Sequence, residues 1–222
     1  ALAPAIAPVL GSWLHNHYGW RSVFWFLSIY GSMLVLMGFF IRETLVDEHR
    51  QSIHPAAVIR VYLTALTHKR FPALIFSLAF AFAGLFLYIA GAPTVIYDFL
   101  GLSGNDFGWL FIPMVVGLML GAAISSRLAH RWPAHRTITV GFGVMIVAAL
   151  FNLLDVNLAS VGIFAVVGPL VLYVIGLALM MPAITVLAMD CLPTHRGTAA
   201  SMQGFLQMIT NAGVASFAVP LL

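Results

Sequence analysis

Three neutral amides, Gln203, Gln207 and Asn211, recur at four-residue spacing inside a stretch, 197–222, that holds no Asp, Glu, Lys or Arg. Each four-residue step advances about 40° beyond a full helical turn, so the three share one face. Amides on such a face can hydrogen-bond a solute in a cavity. They can equally tie one helix to another, a contact worth about 0.6 kcal/mol on average in a membrane. Little else in the sequence suits chemistry in an apolar setting. All eight histidines (15, 17, 49, 54, 68, 130, 135 and 195) fall between apolar stretches or at their ends. Neither an HExxH pattern nor a glycine-rich phosphate loop with a lysine occurs, so nothing indicates a metal centre, or ATP as an energy source. The single cysteine, Cys191, has no partner within the chain for a disulfide. The seven acids are peripheral too: Glu43, Asp47 and Glu48 share one long polar interval, and Asp98, Asp106, Asp155 and Asp190 lie at the edges of apolar stretches.

The elements that must position these residues follow from composition. The chain is 62% hydrophobic and 8% charged, against about 25% charged in soluble domains. Six stretches, 22–41, 71–97, 107–126, 137–154, 156–189 and 197–222, carry no charged residue. A membrane helix takes about 20 apolar residues to cross roughly 30 Å of hydrocarbon. An all-α membrane protein is therefore predicted, with each of these stretches a span and an apolar stub before them. Interval 156–189 exceeds one crossing, so 156–160 is expected in a loop. Such stretches leave no amphipathic surface for water, and the short alternating segments of a transmembrane barrel are absent. The chain opens at Ala1 inside an apolar helix, so it is expected to be part of a longer protein.

The net charge of +3 invites a nucleic-acid partner, but its placement points to membrane lipid instead. Successive loops carry one Lys/Arg (15–21), five (42–70), none (98–106), three (127–136), none (155–160) and one (191–196). Every second loop is basic, which puts 42–70, 127–136 and 191–196 in the cytoplasm. Interval 42–70 is the longest polar one and the natural boundary between two membrane units: 1–41 ends a first bundle, 42–70 connects, and 71–222 supplies five helices of a second. Within the connector, 56–66 fits an interfacial amphipathic helix with Arg60 on its polar face.

Several motifs carry a family resemblance. The opening segment reads Ala3, Pro4, Ala7-Pro8 and Gly11-Ser12, and it resembles the antiporter motif on the fifth helix of major facilitator drug exporters, with Ala and Ser replacing two glycines. Gly19-Trp-Arg-Ser-Val-Phe-Trp-Phe, Arg42-Glu-Thr-Leu, Ser126-Arg127-Leu-Ala-His-Arg131 and Asp190-Cys-Leu-Pro193 with Gly197-Thr-Ala-Ala-Ser are similar to the Bcr/CflA branch of proton-coupled exporters. The loop after Ser126 lacks the acid of the general facilitator motif. On its own physics, Pro8 frees a carbonyl one turn earlier and favours a bend. Ala3, Ala7 and Gly11 would let a neighbouring backbone approach closely.

The resemblance implies a partial major facilitator fold, helices five to eleven, in a multi-pass bacterial inner-membrane protein that is a monomer when complete. It implies efflux of hydrophobic drugs by drug:proton antiport, through alternating access and without a cofactor other than the proton gradient. The coupling acid would lie on earlier helices. Flexible thioethers and rings suit varied apolar substrates, so Phe80, Phe86, Tyr88 and Met181 join Gln203, Gln207 and Asn211 as candidate cavity lining. Arg127, Arg131 and Asp190 are candidates for a cytoplasmic gate, with Asp190 pairing to an Arg. Gly117 and Gly121 form a GxxxG packing face, and Pro169 and Pro182 are positions for bends. The alternatives are uptake of a small metabolite on the same fold, an intramembrane enzyme, for which no reactive constellation exists mid-span, and a non-transporting membrane scaffold.

Overall fold

The computed structural model describes residues 3–41, 54–101, 104–157 and 162–221. Every regular element among them is helical. Two compact units emerge, 1–57 and 58–222; residues 42–53 of the expected connector lie outside the described ones.

In the first unit, α1 (Ala3–Tyr18) packs against α2 (Trp20–Phe40). A single residue, Gly19, joins them at φ 78°, a left-handed conformation that glycine adopts without steric cost. The turn is tied by Gly19 N–H donating to His15 O (2.9 Å) and by the Ser22 hydroxyl donating to Leu14 O (2.9 Å) and Gly19 O (2.7 Å).

The second unit comprises α3 (Pro55–Thr67) from Val58 onward, α4 (Phe71–Thr94), α5 (Gly108–Leu128), α6 (Ala134–Asn157), α7 (Ile163–Asp190) and α8 (Arg196–Gly213). Helix α7 is the centre, packed by α4, α5, α6 and α8, and α4 also packs on α8. Its Leu170, Val174, Leu177 and Met180 are wholly buried, at the three- and four-residue spacing of one helix face and its flanks. Pro169 and Pro182 both sit within this one continuous helix.

Glycines set the closest approaches. A Cβ added to Gly117 or Gly121 of α5 would meet Val174 Cγ2 at 2.7 Å or Ile175 O at 2.6 Å on α7, so the expected GxxxG face does pack. Gly141 of α6 and Gly176 of α7 face each other directly: a Cβ on either would lie 2.7–2.8 Å from the other's carbonyl oxygen. In lipid, where no hydrophobic force drives helices together, such backbone contact is a main source of association.

Among the described residues five helices are long and apolar enough to cross a membrane: 20–40, 71–98, 108–128, 134–154 and 163–190. The sixth expected span, 197–222, is not one of them. It is an amphipathic helix, α8, whose Gln203, Gln207, Thr210 and Asn211 dilute its apolar content, followed by a π-helical turn, Val214–Ala218, and a 3-10 turn, Val219–Leu221. Helix α6 also runs further than expected, taking Asp155 and Val156 out of the predicted loop. At the opposite end of α4, Pro93 cannot donate to the helix ladder, and a π turn, Val95–Phe99, follows, closed by Leu100 N–H to Val95 O at 3.0 Å.

The connector helix α3 docks by Ala65. With Phe71 and Ile75 of α4, Ala188 of α7, Leu192, and Ala199 and Met202 of α8, it forms a buried cluster. The starts of α4 and α8 and the end of α7 are thus at one level. This is the basic end that charge placement assigns to the cytoplasm, and Arg60 is exposed there as expected.

Candidate functional site

Polar side chains within the bundle form cross-helix ties at several depths. Toward the outer end, the Asn152 amide of α6 donates to the Tyr88 hydroxyl of α4. Nearer mid-helix, the Tyr173 hydroxyl of α7 donates to Ala81 O of α4 at 2.8 Å. Its ring fits only because Gly84 lacks a side chain; a Cβ there would overlap the Tyr173 hydroxyl. Ser125 of α5 is buried and donates to Leu179 O of α7 at 2.9 Å. Toward the cytoplasmic end, the Gln203 amide of α8 donates to the Thr185 hydroxyl of α7 at 3.2 Å.

The α8 amides therefore turn inward. Asn211 is buried and Gln207 half-buried. The Asn211 Oδ1 and Gln203 Oε1 atoms are buried without a hydrogen-bond partner among the described residues. A buried acceptor left unmade costs about 1–3 kcal/mol, so these two oxygens are the least satisfied groups of the α8 stripe. The other selected side chains diverge. Tyr88 is engaged by Asn152, Phe86 and Met181 are half-buried, and Phe80 lies exposed on α4, stacked with Phe76 at 6.3 Å.

An apolar cavity of about 530 Å³ opens at the cytoplasmic end between α3, α4 and α8, lined by residues including Tyr62, Leu66, Phe76, Ser201, Met202 and Phe205. None of the residues selected from the sequence lines it. Tyr62 and Leu66 of α3 close it against α4 and α8, a packing between helices that no periodicity along one helix encodes.

At the same end the Asp190 carboxylate pairs with Arg196 at 2.5 Å, across the short turn from α7 to α8, where 3-10 residues Pro193–His195 intervene. The partner is thus neither Arg127 nor Arg131, both of which are exposed. The α7–α8 turn brings Arg196 back over Asp190, whereas the other two arginines belong to the α5–α6 turn. His68 caps α4, its Nδ1 accepting from the N–H groups of Arg70 and Phe71 at 3.3 Å each. Burial pushes the Cys191 thiol up from its usual range; Arg70 opposes this and Asp190 adds to it.

In α1, the side chains of Pro4, Ala7, Pro8 and Ser12 lie outside the described residues, although their backbone is helical. A Cβ at Gly11 would meet no atom within 4 Å, so the close approach expected there is not formed by the described residues. Sequence reasoning missed Ser125, Asn152, Thr185, Gly141 and Gly176. Asn152, Thr185 and Gly176 are single small or polar residues between apolar neighbours, and only that isolation signals them; Ser125 adjoins Ser126 and Arg127, and Gly141 lies two residues from Gly143, so nothing sets them apart in the sequence.

The architecture is a bundle of apolar helices joined by neutral polar ties and glycine contacts, with its charges confined to the ends. Residues 1–217 match the sequence profile described as Major Facilitator Superfamily. The chain is 23% identical over 175 residues to the "Bicyclomycin resistance protein homolog" of Haemophilus influenzae, covering 76% of this chain and 44% of that protein. It is 26% identical over 210 residues to the "Multidrug transporter MdfA" of Edwardsiella piscicida, covering 93% and 50%. It is also 24% identical over 159 residues to the "Chloramphenicol resistance protein CraA" of Acinetobacter baumannii, covering 70% and 37%. The chain spans about half the length of the curated relatives it matches. With a helical membrane bundle on one hand and a profile match along nearly its whole length on the other, the chain belongs to the Major Facilitator Superfamily.

Proposed function

We propose that this chain is part of a drug exporter of the bacterial inner membrane. Hydrophobic drugs reach the apolar cavity between α3, α4 and α8 from the cytoplasmic side and leave outward by alternating access, driven by inward protons. The observation that carries this reading is the cavity itself, about 530 Å³ and walled by Tyr62, Phe76, Met202 and Phe205, in a chain whose relatives bear drug-resistance names. Rings and a thioether adapt to varied apolar shapes without demanding one hydrogen-bond pattern. No Asp, Glu or His lies mid-span in this sequence. The group that takes up the proton therefore lies outside these spans, consistent with the cost of burying ionisable side chains in lipid.

Two measurements on the full-length protein test the proposal. Expression in a pump-deleted host raises tolerance to chloramphenicol or bicyclomycin, and Phe76→Ala with Phe205→Ala lowers that tolerance at equal membrane abundance. In inverted vesicles, adding the exported drug releases protons held by a pre-formed gradient. Unchanged tolerance on expression rules out efflux of these drugs. Efflux that persists after the gradient is collapsed rules out antiport.

A further inference from the structure

A second cavity, about 520 Å³, lies between the cytoplasmic ends of α4 and α7. Its rim is basic: Lys69 and Arg70 line it and both are exposed, with His68 holding their turn by capping α4. Its one acid, Asp190, is engaged by Arg196 at 2.5 Å, while neither the Lys69 nor the Arg70 side chain has an ion-pair partner among the described residues. Below the rim, one helical turn into the apolar layer, the walls are Leu74 and Leu187. Cys191, at the end of α7, lines the same cavity as Arg70.

Two cations without an ion-pair partner among the described residues, above an apolar slot, match a molecule with an acidic head and a hydrocarbon tail. Basic pockets between membrane helices on the cytoplasmic side retain such headgroups, each Lys or Arg contributing about 1 kcal/mol. We propose that this pocket binds an anionic amphiphile, its acidic head between Lys69 and Arg70 and its tail along Leu74 and Leu187. The site is separate from the drug cavity and its occupancy does not depend on export. Two sources share this chemistry: an anionic phospholipid of the inner leaflet, and a soluble amphiphile arriving from the cytoplasm.

Cys191 in the pocket wall reports occupancy. Full-length protein in phosphatidylcholine nanodiscs is treated with a maleimide, and modification of the peptide containing Cys191 is followed by mass spectrometry. Phosphatidylglycerol in the disc, or dodecyl phosphate added in solution, is expected to slow that modification several-fold. Protection by phosphatidylglycerol alone identifies a membrane lipid, protection by dodecyl phosphate alone a soluble ligand, and protection by both a site open to either. Lys69→Gln with Arg70→Gln should need about thirtyfold more ligand for the same protection. Leu187→Trp, which keeps both cations and fills the slot, should abolish protection, separating a pocket from general surface charge. Absence of protection by either ligand overturns the proposal, as does protection undiminished in both variants.

Discussion

Asn211 and Cys191 are the residues whose surroundings make the sharpest statements. The Asn211 Oδ1 is buried without a hydrogen-bond partner among the described residues, and a buried acceptor left unmade costs stability. Replacing it by leucine, of similar size, removes the unpaired acceptor. Asn211→Leu is expected to keep or raise the melting temperature in detergent. A fall in that temperature would mean that the amide contributes to packing. For Cys191, burial and Asp190 raise the thiol and Arg70 lowers it. Because only the thiolate reacts, alkylation of Cys191 should rise with a midpoint above the ordinary cysteine value of about 8.5. Asp190→Asn should bring that midpoint down and Arg70→Gln should push it up, both read from the pH profile of the alkylation rate. These effects were invisible in the sequence, which shows Arg70 and Cys191 far apart along the chain.

At the scale of elements, α5, α6 and α7 are joined by backbone contact and α8 by side chains. Gly141 against Gly176 and Gly121 against Ile175 leave no room for a methyl group, whereas α8 meets α7 through the Gln203–Thr185 hydrogen bond, an exposed ion pair and the apolar cluster around Ala188, Ala199 and Met202. Exposed ion pairs contribute little, typically 0–1 kcal/mol. Gly176→Leu should therefore destabilise strongly, by about 2 kcal/mol or more in the range of overpacked cores, and lower the yield of monodisperse protein. Thr185→Val should cost under about 1 kcal/mol; thermal unfolding in detergent compares the two directly. The GxxxG spacing of Gly117 and Gly121 was legible because both partners of the pattern lie on one helix. Gly141 and Gly176 were not, since their relation exists only across two helices. Likewise the sequence suggested Asp190 with an arginine, and folding selected Arg196 because the α7–α8 turn returns it to the same helix end.

For the whole molecule, the fifth-helix resemblance predicts that Gly11→Leu in the full-length protein inserts normally yet abolishes drug resistance, measured as tolerance in a pump-deleted host alongside membrane abundance. Undiminished resistance would remove any role for that face in transport. What the sequence determined by itself is the helical membrane class, most of the spans, the basic side and the family. These are one-dimensional properties: apolar length must match hydrocarbon thickness, and cations stay on the side where they are made. Tertiary structure alone decided that α7 is the centre, that the last apolar stretch is an amphipathic helix passing into a π turn, and that Tyr173 bonds Ala81 over Gly84. It also placed the two cavities at the basic end of the bundle. Periodicity tells which face of a helix is polar or small, but the partner of that face is set by contacts between residues distant in the chain.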